Sequence, residues 1–191
     1  MPNLANRPNT ALLIVDVQND VVADAYQRDE VLANINTLVD AARALGNPVI
    51  WVQHRSDELV ANTPGWEYVS ELQRQDGEPL VHKEYGDSFE GTTLETELEH
   101  FGVGRLIVTG AQTDACIRST LHGAFTRGYD TLLVGDAHTT DDYSQYGLPT
   151  ADKVIAHTNM YWGFQAAPGR VAGVVPTAEV DFASPAVAPP N

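Results

Sequence analysis

The sequence predicts an α/β protein: three layers, α-β-α, around a mostly parallel, Rossmann-like sheet of about six strands. Three observations carry this. Short runs of branched apolar residues alternate with segments whose apolar residues recur every three or four positions. The runs are apolar almost throughout, as in strands covered on both faces. Polar turns or glycines close the runs and the helical patterns. Alternation of this kind puts helices on both faces of a parallel sheet.

Ala11-Leu-Leu-Ile-Val-Asp-Val, followed by Gln18-Asn-Asp, reads as a buried first strand. From Asp29 to Leu45 the apolar residues Val31, Leu32, Ile35, Leu38, Val39, Ala42 and Leu45 form one helical face, and Gly46 ends it as a C-cap does. Pro48 to Gln53 is a second strand. Residues 54–79 are polar and mixed, broken at Pro64-Gly65, with Trp66 to Leu72 as two helical turns, and a connection this long is expected to serve function. Leu80 to Tyr85 is a third strand, Thr92 to Phe101 a helix capped by Thr92 or Thr93, and Arg105 to Ala111 a fourth strand. Asp114 to Arg127 is an amphipathic helix closed by Gly128, and Thr131 to Ala137 a fifth strand. Thr150 to Phe164 is a helix and Arg170 to Val175 a sixth strand. With no repeat or linker, residues 1–182 read as one domain. Residues 183–191 are too rich in proline for a helix or central strand and read as an extended arm or disordered tail.

A chain of 191 residues, 43% hydrophobic and 19% charged, suits one folded domain. Its formal net charge of -15 repels phosphate backbones and anionic bilayers, so neither nucleic acid nor membrane is an expected partner. The same acidity either favours a cationic substrate or serves solubility alone. No run approaches the roughly 18 apolar residues of a membrane span, and Met1 to Pro8 lacks the apolar core of a signal peptide, so a cytoplasmic location is expected. The single cysteine, Cys116, excludes an intramolecular disulfide and a multi-cysteine zinc site. It is therefore inert packing or a reactive thiol.

Ligands of open α/β sheets bind beyond the carboxyl ends of the strands, where the strand order reverses. Asp16, Lys83 and Cys116 all fall at such ends. Singly each has an ordinary reading: a satisfied acceptor, a surface lysine, a small buried hydrophobe. Together they make a base, a cation and a nucleophile. With Cys116 near the start of a helix, the helix dipole and Lys83 are expected to lower its pKa, and the N–H groups of Gln112 and Cys116 are placed to bind an oxyanion.

These residues carry a resemblance. Leu13-Ile-Val-Asp16-Val-Gln-Asn-Asp, Lys83 followed by Ser88-Phe-Glu-Gly-Thr-Thr-Leu, Gly110-Ala-Gln-Thr-Asp-Ala-Cys116-Ile and Arg127-Gly-Tyr-Asp are similar to the isochorismatase-like cysteine hydrolases over about residues 11–164. That group includes nicotinamidases, carbamoylsarcosine amidases, ureidoacrylate and biuret hydrolases and streptothricin hydrolases. The resemblance implies a catalytic triad of Asp16, Lys83 and Cys116, a cis peptide between Ala111 and Gln112, and an oxyanion hole from the Gln112 and Cys116 amides. It implies hydrolysis of a C–N bond in a small amide, ureido or lactam compound through a thioester, with no cofactor, by a homo-oligomer whose neighbouring chain could complete the pocket. The alternatives are vinyl-ether hydrolysis of the isochorismate type, which leaves the thiol without a use, and a silent binding or assembly homologue, against which the intact triad argues. Related nicotinamidases hold a metal through an Asp-x-His segment after the second strand. Here Val52-Gln-His54 lacks the aspartate, so no metal is expected. Gln18, His54, Trp66, Tyr85 and Phe89 are candidate substrate contacts, each with local packing as its alternative. Asp136-Ala-His138 reads as a turn.

Overall fold

The computed structural model describes residue 4 and residues 6–185. In chain order its elements are β1 (Asn9–Val15), α1 (Arg28–Ala44), β2 (Val49–His54), β3 (Leu80–Lys83), α2 (Leu94–His100), β4 (Val103–Ala111), α3 (Arg118–Arg127), β5 (Asp130–Thr139), α4 (Ala151–Trp162), β6 (Ala166–Ala167) and β7 (Arg170–Val175). The strands form one sheet in the order β3-β2-β1-β4-β5-β7-β6, parallel except for β6. The parallel strands number six, as the sequence predicts, and β6 is a two-residue antiparallel addition at the edge.

Strand alternation sorts the core into two layers. Leu12 and Ile14 of β1 pack with Ile35, Leu38 and Val39 of α1, while Leu13 and Val15 pack with Leu94 and Leu98 of α2, Leu121 and Ala124 of α3, and Trp162 of α4. Each such side chain contributes about 1.5–3 kcal/mol on burial. These two layers hold the sheet flat against its helices and fix where the strand ends lie.

Because β1 pairs with β2 on one side and β4 on the other, the strand order reverses between β1 and β4. Val15 stands opposite Gly110 there, so close that a Cβ at position 110 would lie 2.1 Å from the Val15 carbonyl oxygen. Gly110 also has φ 117°, which a side chain disfavours. Gly110→Ala is expected to destabilise by at least about 3 kcal/mol in denaturant unfolding. A loss under about 1 kcal/mol would show that this approach can relax.

Two local expectations are corrected. Trp66 to Leu72 is not helical. Its backbone hydrogen-bonds to residues 17–20 instead, Asn19 N to Glu67 O and Asp20 N to Gly65 O at 2.9 Å and Val69 N to Val17 O at 3.2 Å, while Val69 and Leu72 bury in the α1 layer. The helix read from Asp114 is divided: Thr113–Ile117 forms a π-helical turn, and α-helix begins only at Arg118. Of the C-terminal stretch, residues 183–185 are described and residues 186–191 lie outside the described residues. The Ser184 carbonyl accepts from Thr10 Oγ1 at 3.0 Å and from the Arg105 guanidinium at 3.1 Å, which docks that part of the stretch. Among the described residues no helix is long and apolar enough to cross a membrane.

Candidate active site

Asp16 follows β1 directly, with its N–H bonded to Val52 O at 2.9 Å and φ 53°, a left-handed conformation that turns the chain at the end of the strand. Lys83 closes β3 opposite His54 of β2. Cys116 sits in the π-helical turn after β4, beyond a cis Ala111–Gln112 peptide bond, where the N–H groups of Ala115 and Ile117 both donate to the Gln112 carbonyl at 3.1 Å. The three residues therefore reach one point from three strands.

Lys83 is the hub. Its ammonium lies 2.6 Å from Asp16 Oδ2 and donates toward the Tyr85 carbonyl at 3.1 Å, Cys116 Sγ at 3.2 Å and His54 Nδ1 at 3.3 Å, so three hydrogens serve four acceptors. The Lys83 side chain is 0% exposed and that of Asp16 is 1% exposed. Burial raises the Asp16 pKa, and the Lys83 charge only partly opposes it. Hydrogen bonding from Lys83, from the Cys116 thiol and from the His54 backbone works in the same opposing direction. Charges this deep require mutual pairing, and the pair makes the site electrically balanced at rest.

The thiol differs from expectation. Burial and then the adjacent Asp16 charge push the Cys116 pKa up to about 12, and Lys83 does not compensate. Its place in a π-helical turn two residues short of α3 also separates it from that helix's first turn. Cys116 is therefore a protonated thiol at rest, and any thiolate has to be made by transfer to a base within the site.

A cleft of about 340 Å³ opens over the thiol, lined by Asp16, Asp20, Val21, His54, Ser56, Glu58, Leu59, Gln112, Ala115 and Cys116. Of the five expected substrate contacts only His54 lines it. Burial and the neighbouring Lys83 lower the His54 pKa to about 4, and acceptance from Lys83 by Nδ1 leaves Nε2 with the hydrogen. Gln18 is fully buried and spends its amide on backbone: Nε2 donates to His54 O at 2.9 Å and Trp66 O at 2.7 Å, and Oε1 accepts from His54 N at 2.8 Å. Trp66 is buried and stacks on His82 at 5.7 Å. Phe89 is buried between Tyr129, at 5.7 Å, and the Arg127 guanidinium, at 4.7 Å. Tyr85 is 58% exposed and lines a neighbouring hollow with Arg55, Asp57, Val60 and Glu84. Sequence reasoning missed Asp20, the last residue of the first motif, and Val21, which follows it, as well as Glu58 and Leu59, which lie in the long connection it had marked as functional.

The turn that carries Cys116 is held from behind. Asn159 Nδ2 donates to Gly135 O at 3.0 Å, which leaves Asn159 Oδ1 to accept from His138 Nε2 at 2.9 Å and His138 Nδ1 to accept from Thr113 Oγ1 at 2.8 Å. His138 is 1% exposed, and burial lowers its pKa to about 4. Gln112 Nε2 donates to Asp141 at 2.8 Å, and Thr140 Oγ1 to Asp114 at 2.7 Å. The unfolded chain binds protons near pH 6.5 that folded His54 and His138 refuse until about pH 4, so stability falls as pH drops through that window. Urea midpoints at several pH values should show His138→Gln losing less stability between pH 7 and 4.5 than the parent. An unchanged pH slope would remove His138 from the account.

Among the described residues no three of His, Cys, Asp and Glu gather as a metal site.

The molecule is an open, mostly parallel α/β sheet with a thiol, a carboxylate and an ammonium gathered beyond its switch point. A family model for the isochorismatase domain matches residues 10–158, and the chain belongs to the isochorismatase family. It is 30% identical to the uncharacterized isochorismatase family protein YddQ of Bacillus subtilis (strain 168), over 89% of this chain and 97% of that one. It is 33% identical to streptothricin hydrolase of Streptomyces noursei, over 97% of this chain and 77% of that one. The structure of an isochorismatase from Pseudomonas putida KT2440 superposes with a TM-score of 0.82 at 27% identity, covering 94% of this chain and 92% of that one.

Proposed function

We propose that the protein is a hydrolase that cleaves a C–N bond of a small amide, ureido or lactam compound through a thioester on Cys116. The observation that carries this reading is the sharing of the Lys83 ammonium between the buried Asp16 carboxylate and the Cys116 thiol at the floor of the cleft. Relatives named streptothricin hydrolase and ureidoacrylate amidohydrolase support a hydrolase, the second by its name one of amide-type bonds.

Burial raises the Asp16 pKa, which makes it a stronger base toward the Cys116 thiol than an ordinary carboxylate. Asp16 takes the thiol proton as Sγ bonds to the carbonyl carbon. The carbonyl electrons move to oxygen, and the N–H groups of Gln112 and Cys116 bind that oxyanion. As the C–N bond breaks, Asp16 returns the proton to the leaving nitrogen. Water then attacks the thioester, with Asp16 as base, and a carboxylic or carbamic acid leaves while the thiol is restored. Lys83 keeps its charge throughout and offsets the negative charge that moves from carboxylate to sulfur to oxygen. Vinyl-ether hydrolysis gives the thiol no comparable task.

Ammonia release from a panel of amides, ureides and lactams tests the proposal, together with intact-protein mass spectrometry after acid quench. The expected result is release from at least one compound and an acyl adduct located to Cys116. Ammonia or amine release with the adduct absent in the parent and turnover retained by Cys116→Ala would overturn it.

A further inference from the structure

Charge divides this cleft in a way that its catalytic residues do not require. Asp20 and Glu58 line it as exposed carboxylates, and no lysine or arginine lines it at all. The one nearby ammonium, Lys83, is wholly buried and already shared among four acceptors. His54, the remaining basic side chain of the lining, is uncharged near neutral pH. The adjoining hollow reaches the cleft through Ser56 and adds Asp57 and Glu84, and its Arg55 is tied to Glu84 at 2.6 Å.

Asp20 is held in place by the backbone. Its N–H bonds to Gly65 O at 2.9 Å, and Asn19 Nδ2 bonds to Pro64 O at 2.8 Å. The Asp20 carboxylate lies over Gly65 so closely that a Cβ there would come within 1.7 Å of Oδ2. The Pro64-Gly65 break in the sequence thus makes room for this carboxylate. The floor of the same cleft is formed by Cys116 and by Asp16, whose carboxylate is paired to Lys83 at 2.6 Å.

Building on the C–N hydrolase reading, we infer that the substrate is a cationic amide, its scissile nitrogen at Asp16 and an ammonium or guanidinium group at the mouth between Asp20 and Glu58. Two carboxylates lining one cleft attract such a group and repel a carboxylate. An anionic amide meets no unpaired cation among the residues lining the cleft. The overall charge of -15 reinforces the choice by drawing cations toward the surface.

Three amides of matched length separate charge from shape: 6-aminohexanamide, hexanamide and adipamic acid, the last two neutral and anionic. Their binding to Cys116→Ala is measured by calorimetry at low ionic strength, where no turnover interferes. The expectation is that 6-aminohexanamide binds at least about tenfold more tightly than hexanamide, that adipamate binds more weakly than hexanamide, and that the preference shrinks with added salt. In the Asp20→Asn, Glu58→Gln double variant, checked for folding by its thermal transition, the preference should fall to within about twofold. Equal binding of the three amides, tighter binding of adipamate, no heat from 6-aminohexanamide up to about 10 mM, or a preference that survives the double substitution would each overturn the inference. Ammonia release by the parent is followed in parallel. Release from hexanamide without a charge preference defeats the inference alone, whereas a charge preference accompanied by ammonia release from Cys116→Ala supports charge selection and defeats the thioester reading.

Discussion

Replacing Cys116 with alanine is expected to lower turnover of any amide substrate by about 10⁴-fold or more, to the level left by binding and backbone donors alone. The thermal midpoint should stay within a few degrees of the parent, because the change removes one partly buried sulfur. In the proposed mechanism sulfur is the atom to which the acyl group is transferred, so no neighbour can substitute for it. Serine at the same position tests whether the site merely needs a proton donor, and should be nearly as inactive, since an alkoxide is harder to form than a thiolate already pushed up to about 12. Retention of more than about a tenth of the parent rate by either variant would assign the chemistry elsewhere.

Replacing Lys83 with alanine is expected to affect both activity and folding. The substitution leaves the Asp16 carboxylate buried without its ion partner, at a cost of about 3–5 kcal/mol. For a chain of this size that corresponds to a fall of roughly 6–20 °C in the thermal midpoint. The sign with pH follows from linkage. Asp16 already has a folded pKa above its unfolded value, and loss of Lys83 raises it further, so the folded variant holds a proton that the unfolded chain releases near pH 4. The variant should therefore be least impaired in acid and lose stability as pH rises. The Lys83→Met, Asp16→Asn double variant should regain much of the stability and none of the activity. If it is no more stable than Lys83→Ala, the pair is not the unit that holds this region together.

Periodicity was sufficient to read the sheet, because strands covered on both faces and helices covered on one leave opposite patterns in apolar residues. The three residues joined by Lys83 were legible for the same reason: a carboxylate after five aliphatic residues and a thiol after a strand both fall at strand ends. Other features left weaker traces. The helix expected at Trp66 to Leu72 failed because its backbone bonds with residues 17–20, a partner about 50 positions away that no local pattern encodes. Gln18 belongs to the first motif, yet its amide is consumed by the backbone of residues 54 and 66. His138 looked like part of a turn and is instead a buried link between Asn159 and Thr113. The raised thiol pKa depends on how deeply the sulfur sits, a quantity set by packing in three dimensions.

The pinning of residues 65–69 to residues 17–20 separates the protein's chemistry from its selectivity. Asp16, Lys83 and Cys116 rest on strand ends fixed by the core, while Ser56, Glu58 and Leu59 at the rim belong to an irregular span whose anchors lie further along the chain, at Gly65, Glu67 and Val69. Residues 55–63 can therefore vary in length and charge while those anchors and the strand ends stay in register. Under the proposed hydrolase reading, exchange of that short segment changes one side of the cleft's rim while Asp16, Lys83 and Cys116 stay in place.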